Sequence, residues 1–447
     1  MVRTMGGAGV VAWVAAAAVC CAAAEPKVLF EIDGARRWPI SPYLYGTNQP
    51  DWQGRGKHLT LTRWGGNRIT AYNWETNASN AGSDWQHQND GFLDPGDTPG
   101  NPVRKLVAAA HEAGASVVVT VPILGYVAAD KSGGGDVAKT PDHLETRFHP
   151  SLARKRAGFC DPPELRDGRV YQDEFVSWLE RAFPNARRDP ARTIFYALDN
   201  EPDLWSSTHA RIHPKKVRYD EIVRLNIEYA RAIKAVAPGA LVFGPVSYGW
   251  QGYTTLQDAP DAAGRDFLDC YLHAMRCTEE QCGTRLLDVL DLHSYPEARG
   301  GNIRITEDDA HSDVAAARVQ APRSLWDPGY VEASWITRDA LRGPICLLPR
   351  LRAKIATHYP GTRLALTEYY YGGGGDISGA LAQADVLGIF GREGVFAAAL
   401  WHLGRTDHRF IYGAMAMFRN YDGHGCAFGD TGLAARQVEM RNLIGDD

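Results

Sequence analysis

Two carboxylic acids stand out by their surroundings. Asn200-Glu201-Pro202 follows the apolar run from Thr193 to Leu198, and Leu366-Thr367-Glu368-Tyr369 closes another such run. A carboxyl at the end of a buried strand sits at the mouth of a low-dielectric core, where its pKa can rise. Two of them aimed into one cavity are what glycoside hydrolysis needs: one protonates the departing oxygen and the other attacks the anomeric carbon. Each alone has a plainer reading. Glu201 suits a helix cap or a salt-bridged loop charge, and Glu368 a structural charge at a strand end. Their pairing, three strand–helix units apart, favours chemistry over both.

Further groups collect where other apolar runs stop. Asn200 is placed to hydrogen-bond a sugar 2-hydroxyl. Arg63-Trp64-Gly65-Gly66-Asn67 joins a stacking ring to two glycines and polar side chains. His293-Ser294-Tyr295-Pro296-Glu297 offers an imidazole and a phenol, and Trp401-His402 ends the last run. Trp64, Trp326 and Trp401 are expected to line sugar subsites, and Trp205, Trp250 and Trp335 also fall in loops. The competing reading makes His293 a satisfied structural residue and the loop tryptophans partial core. Other chemistries lack their marks. There is no Gly-x-Ser-x-Gly elbow. Gly372 to Gly375 lacks the Lys and Ser/Thr of a phosphate loop and reads as a flexible active-site loop. No cysteine or histidine spacing matches a zinc site.

Eight strands would position these groups. Their candidate ends are Tyr45-Gly46, Arg63-Trp64, Val121-Pro122, Asp199-Asn200, Gly244-Pro245, Leu292-His293, Thr367-Glu368 and Leu400-Trp401. The clearest runs are almost continuously apolar, as strands buried on both faces must be. Helical patterns alternate with them: Val103, Leu106, Val107 and Ala110 share one face, as do Ile222, Leu225, Tyr229, Ile233 and Val236 before Pro238-Gly239. The alternation predicts an α/β (β/α)8 barrel. A doubly wound open sheet is the competitor, and it lacks a Gly-rich dinucleotide fingerprint.

Composition fits. The 447 residues are 45% hydrophobic and 23% charged, with 48 basic and 53 acidic side chains giving a net charge of −5. That balance argues against nucleic acid or an anionic membrane as partner. Twelve tryptophans and 19 tyrosines supply flat rings on which sugars stack. Arg3, the apolar run Val10 to Cys21 and Ala22-Ala23-Ala24 read as an export signal over residues 1–24, predicting a secreted or periplasmic protein whose mature chain starts near Glu25. Six of the eight cysteines would then remain: Cys160, Cys270, Cys277, Cys282, Cys346 and Cys426. Export permits disulfides among them, and Cys277 and Cys282 are close enough in sequence to close a small loop; buried free thiols are the alternative. Residues 25–39 form an N-terminal strand of a side module, 40–405 the barrel, and 406–447 the C-terminal remainder of the side module, with a helix-like stretch from Arg436 to Leu443.

The ordered blocks resemble glycoside hydrolase family 44, the endoglucanase and xyloglucanase family. They are Arg63-Trp64-Gly65-Gly66-Asn67, Asp199-Asn200-Glu201-Pro202-Asp203-Leu204-Trp205 and His293-Ser294-Tyr295-Pro296-Glu297. Ser324-Leu325-Trp326-Asp327, Ser334-Trp335-Ile336 and Thr367-Glu368-Tyr369-Tyr370-Tyr371-Gly372-Gly373 follow. Phe418 to Gly423 and Phe428-Gly429-Asp430-Thr431 complete the set, so the likeness runs from about Ile40 to Thr431. It implies a (β/α)8 barrel with a β-sandwich built from both chain ends. It also implies retention of configuration, with Glu201 as acid/base and Glu368 as nucleophile. Trp64, Asn67, Asn200, His293, Tyr295, Trp326, Tyr370 and Trp401 are the substrate-binding candidates. The implied substrates are β-1,4-linked: carboxymethylcellulose, mixed-linkage glucan, xyloglucan and sometimes xylan. Members resembling this chain usually continue beyond Phe-Gly-Asp-Thr, so either the expected sandwich is reduced or the sequence is incomplete.

The expectation is therefore a monomeric, secreted endo-β-1,4-glucanase or xyloglucanase acting on polysaccharide. It requires no cofactor for catalysis; a structural calcium is left open. A xylanase or mannanase on the same barrel, or a non-catalytic carbohydrate-binding barrel, are the alternatives. The mechanism predicts carboxyl groups about 5–5.5 Å apart. Glu201 is expected to be protonated, its pKa raised by burial and by the charge of Glu368.

Overall fold

The computed structural model describes residues 27–403 and 407–441. Eight parallel strands close into a barrel: β1 (Tyr43–Thr47), β2 (Leu61–Trp64), β3 (Ser116–Val121), β4 (Ile194–Leu198), β5 (Val242–Ser247), β6 (Val289–Ser294), β7 (Arg363–Tyr369) and β8 (Ala397–Leu400). Each pairs with its successor in sequence, β8 pairs with β1, and every ladder is parallel. These are the eight strands that the apolar runs predict, and the fold is a (β/α)8 barrel.

The runs are continuous because each strand has two apolar jobs. Val117, Val119, Val121, Ile194, Tyr196, Leu290, Leu292 and Leu366 belong to the large core shared with the helices. The alternate positions Leu61, Val118, Phe195, Ala197, Phe243, Val289, Ala365, Ala397 and Ala399 form a second cluster. Phe195 and Phe243 pack there at a tilt with ring centroids 5.4 Å apart, and the alanines of β7 and β8 make room for them. Helices cover the outside with the predicted faces. Asn101–Glu112 (α1) buries Val103, Val107 and Ala110. Tyr219–Val236 (α2) buries Ile222, Tyr229 and Ile233, and at its start the Arg218 backbone N–H donates to Glu221 Oε2 at 3.4 Å.

By compactness the chain divides into residues 39–432, which contain the barrel, and a unit of residues up to 38 with those from 433 onward. The helix Arg409–Arg419 belongs to the first. Lys27–Pro39 and Thr431–Arg441, nearly all of whose residues fall in the second, form a two-stranded ladder. The helical pattern expected from Arg436 is thus overridden up to Arg441. Two turns are too short to hold a helix alone, whereas pairing with Lys27–Pro39 bonds alternate backbone groups along the stretch.

The cysteines were open to disulfides or free thiols, and the structure has the second. All six cysteines in the described residues are free. Cys277 and Cys282 both lie on the helix Phe267–Cys282, where a five-residue step turns the second thiol well away from the first. The proposed export signal lies outside the described residues. Among the described residues no helix is long and apolar enough to cross a membrane.

Candidate active site

Polar side chains take over the barrel interior toward the strands' C-terminal ends. On β2 the inward sequence is Leu61 then Arg63, on β6 it is Val289, Asp291, His293, and on β7 Ala365 then Thr367. The β6–β7 register shifts between Leu292 and His293, so that His293 pairs with Glu368 where strict alternation would give Thr367. This bulge lets two consecutive residues serve the interior. The Thr367 hydroxyl donates to Asp291 at 2.8 Å, and Glu368 reaches the cleft above.

Glu201 is aimed by a different device. After β4 the backbone takes positive φ at Asp199 (68°) and at Glu201 (44°), a conformation costing non-glycine residues roughly 1–3 kcal/mol each. The buried Asp199 carboxylate holds the turn. It accepts from the Thr70 hydroxyl at 2.7 Å and from the backbone N–H of Ile123 (2.6 Å), Leu124 (3.2 Å) and Asn200 (2.8 Å). Glu201 N–H donates to the Val246 carbonyl at 2.9 Å.

The two glutamates meet in a cleft of about 380 Å³. One oxygen of each, with His293 Nδ1, lies in a cluster whose atoms are all within 4.8 Å of one another. Arg63, itself buried, donates from Nη1 to Glu368 Oε1 at 2.6 Å and from Nη2 to Asn200 Oδ1 at 2.7 Å. Tyr295 donates its hydroxyl to Glu368 Oε2 at 2.7 Å. Gly65 permits this: a Cβ there would lie 2.4 Å from the Arg63 guanidinium carbon. Burial pushes the Glu201 pKa up to about 7; Arg63 opposes the rise and Asp84 adds to it. Asp84 is a like charge that the sequence did not announce, and Arg63 pairs Glu368 directly. Burial pulls His293 down to about 3, so its ring is neutral near pH 7. The atoms of Glu201, His293 and Glu368 have the spacing of a metal site. They are already engaged with one another, however, and the Arg63 cation occupies the flank of Glu368 where an ion would compete with it.

The predicted contact residues divide. Asn67, Asn200, Tyr295 and Trp401 line the cleft. Gly66, at φ 90°, makes room for the Trp401 ring, which a Cβ would approach to 2.5 Å. His293 is wholly buried beneath the carboxyls and touches them instead of the open space. Trp64 is corrected to core: it is buried and packs edge-on against Tyr72 at 5.4 Å. Trp326 lies outside the lining, with the Arg392 guanidinium 4.1 Å over its ring. Tyr370 is buried and donates its hydroxyl to Asp308. Trp250 and Trp335 line the cleft where Trp64 and Trp326 do not, whereas Trp205 is buried. The sequence places Arg63 only among the polar side chains of its block, not as the partner of Glu368, and points to no role for Asp84, Tyr248 or Arg304. Counting inward from Leu61 by twos would have found Arg63. The others come from loops whose path no local pattern announces.

Comparison with known proteins agrees with this geometry. The pattern of glycoside hydrolase family 44 matches residues 78–298. Endoglucanase A of Paenibacillus lautus is 44% identical over 436 residues, which is 94% of this chain and 61% of that protein; the chain thus spans under two thirds of that relative. A family 44 xyloglucanase from Paenibacillus polymyxa, solved with xyloglucan, is 43% identical with a TM-score of 0.86 over 92% of this chain and 82% of its own. The family 44 endoglucanase from Clostridium thermocellum is 41% identical with a TM-score of 0.86, covering 94% and 85%.

Proposed function

Because the chain belongs to glycoside hydrolase family 44, we propose that it is a secreted endo-β-1,4-glucanase or xyloglucanase that retains anomeric configuration through Glu201 and Glu368. The observation that carries this is the close approach of two carboxyls of unlike surroundings across one cleft. Glu201 holds a raised pKa of about 7, and Glu368 is paired to Arg63 at 2.6 Å. Unlike environments for two acids are how acid and nucleophile are told apart.

The steps follow. Trp250, Trp335 and Trp401 receive the faces of sugar rings along the chain. Asn200 accepts from Arg63 through its carbonyl, which leaves its amide N–H groups to donate to a sugar hydroxyl. Glu368 attacks the anomeric carbon while Glu201 gives its proton to the glycosidic oxygen, and the leaving sugar departs as an alcohol. The ester so formed carries no charge, so Arg63 loses its partner. Its full positive field then acts on Glu201 and lowers the pKa of that group. Glu201 takes a proton from water, the hydroxide displaces Glu368, and the second inversion restores the β-configuration. Two carboxyls complete the cycle and no cofactor enters it. Export, expected from residues 1–24, belongs to the same reading: an insoluble wall polymer must be cut outside the cell.

NMR of the first-formed product from a soluble β-glucan tests the mechanism. The β-anomer should appear first and mutarotate later; an initial α-anomer sinks retention. The kcat/KM of the free enzyme should fall on the alkaline side with a midpoint near pH 7, because raising pH through the Glu201 pKa removes the acid proton. Reducing-sugar release from xyloglucan, carboxymethylcellulose and xylan in parallel ranks the substrates.

A further inference from the structure

His293 stands in an unusual position between the two glutamates. Its Nδ1 lies 2.7 Å from Glu201 Oε1 and 3.4 Å from Glu368 Oε2. The ring is wholly buried, and Nε2 meets no hydrogen-bonding partner among the described residues. The backbone beneath is fastened, because the Tyr253 hydroxyl donates to the His293 carbonyl. So placed, the imidazole cannot reach substrate as a ligand would. It also stays neutral, since burial holds it far below its ordinary pKa. It therefore carries one proton on one nitrogen. A proton on Nε2 would be a buried donor with nothing to receive it. On Nδ1 the same proton faces two carboxyl oxygens.

We propose that His293 is a positioning residue that decides which oxygen of Glu201 carries the acid proton. The Nδ1–H donates to Glu201 Oε1, so Oε1 acts as acceptor and the proton resides on Oε2. Glu201 Oε2 has no protein partner among the described hydrogen bonds and is not among the buried unmet atoms, and Glu201 lines the cleft. The proton is thereby left on the oxygen that is free to meet the glycosidic bond. Once Glu201 has given it up, the same Nδ1–H donates to a carboxylate, and a hydrogen bond to the charged form is the stronger one. His293 thus also steadies the base of the second step. Each step balances without oxidant or metal: the imidazole keeps its proton throughout, and Glu201 alone loses and regains one.

Other groups bear on Glu201 and must be held constant in the test. Arg63 approaches from β2 and Asp84 from the loop that follows it. Asp203, Tyr248 and Tyr253 stand on the neighbouring turns, and Tyr295 and Glu368 complete the ring. None is altered by changing His293 alone.

The inference rests on the acid/base reading of Glu201, and the experiment separates the two. The pH profile of kcat/KM on soluble xyloglucan is measured for the wild type, H293A, H293N and E201Q, with circular dichroism checking the fold. Removing the Nδ1 donor should move the alkaline limb upward by about one to two pH units, because a donor that favoured the carboxylate is gone. It should also lower kcat/KM about 10- to 100-fold. Asparagine places an amide N–H near the position of Nδ1, so H293N should return the limb close to its wild-type midpoint. E201Q should have no such limb. Should the alanine variant fail to fold, H293Q, whose longer side chain carries its amide past that position, takes its place with the same expectation. An unmoved limb in H293A, or H293N displaced as far as H293A, overturns the role of His293 while the loss of the limb in E201Q preserves the acid. A limb that persists in E201Q overturns the acid assignment, and this proposal with it.

Discussion

The inside of the barrel is filled in two different ways along the same strands. Near the N-terminal ends, Leu61, Val118, Phe195, Phe243, Val289 and the alanines of β7 and β8 exclude water by fitting large rings against small side chains. A few residues further on, Arg63, Asp291, His293, Thr367 and Glu368 occupy the same axis and are as deeply buried. There the space is ruled by hydrogen bonds: Arg63 to Glu368 and Asn200, Thr367 to Asp291, His293 to Glu201. The lower half is a problem of volume and the upper half a problem of pairing. Burial that merely stabilises below is what alters chemistry above, since it raises Glu201 and Asp291 to about 7 and drops His293 to about 3.

If this division holds, changes in the two halves should fail differently. E368Q should lose about 10⁴-fold or more in kcat, because an amide cannot form the ester, while its thermal unfolding stays close to that of the wild type. A large loss of stability in E368Q would show that the upper half also carries the fold. F243A should behave in the opposite sense. It leaves a cavity beside Phe195 and Phe396, which costs about 3–5 kcal/mol of stability, yet the molecules still folded at low temperature should turn over near the wild-type rate. Denaturant midpoints and kcat measured on the same samples decide this. The smallest effect concerns the tryptophans. W401A should raise KM about tenfold with little change in stability, since its ring faces the cleft. W64A should instead lower the melting temperature, because that ring is core against Tyr72. Equal behaviour of the two variants would erase the line between cleft and core.

Much of this arrangement could be read before any coordinates. The ends of the eight strands were legible because a strand buried on both faces has to be apolar along its length, as Val117 to Val121 and Ile194 to Leu198 are. Glu201 and Glu368 were legible because they break such runs at their ends. Trp64, Trp326 and Tyr370 were harder, since an aromatic ring near a strand end suits core and cleft equally well. Trp64 shares its turn with cleft-lining Gly66 and Asn67, yet it points to Tyr72. The side module built from both chain ends was legible, but Arg436 to Arg441 reads locally as helix because its strand partner lies at the other end of the chain.

What the sequence determined by itself is everything that rests on local periodicity: the strand order, the helix faces and the placing of two acids at strand ends. Only the tertiary structure decided which acid is wired to what. The bulge at Thr367, the positive φ at Glu201, the reach of Arg63 across the barrel and the seat of His293 between the glutamates all depend on contacts between distant segments. Such contacts leave no period in the chain, because the distance that matters is across the barrel and not along it.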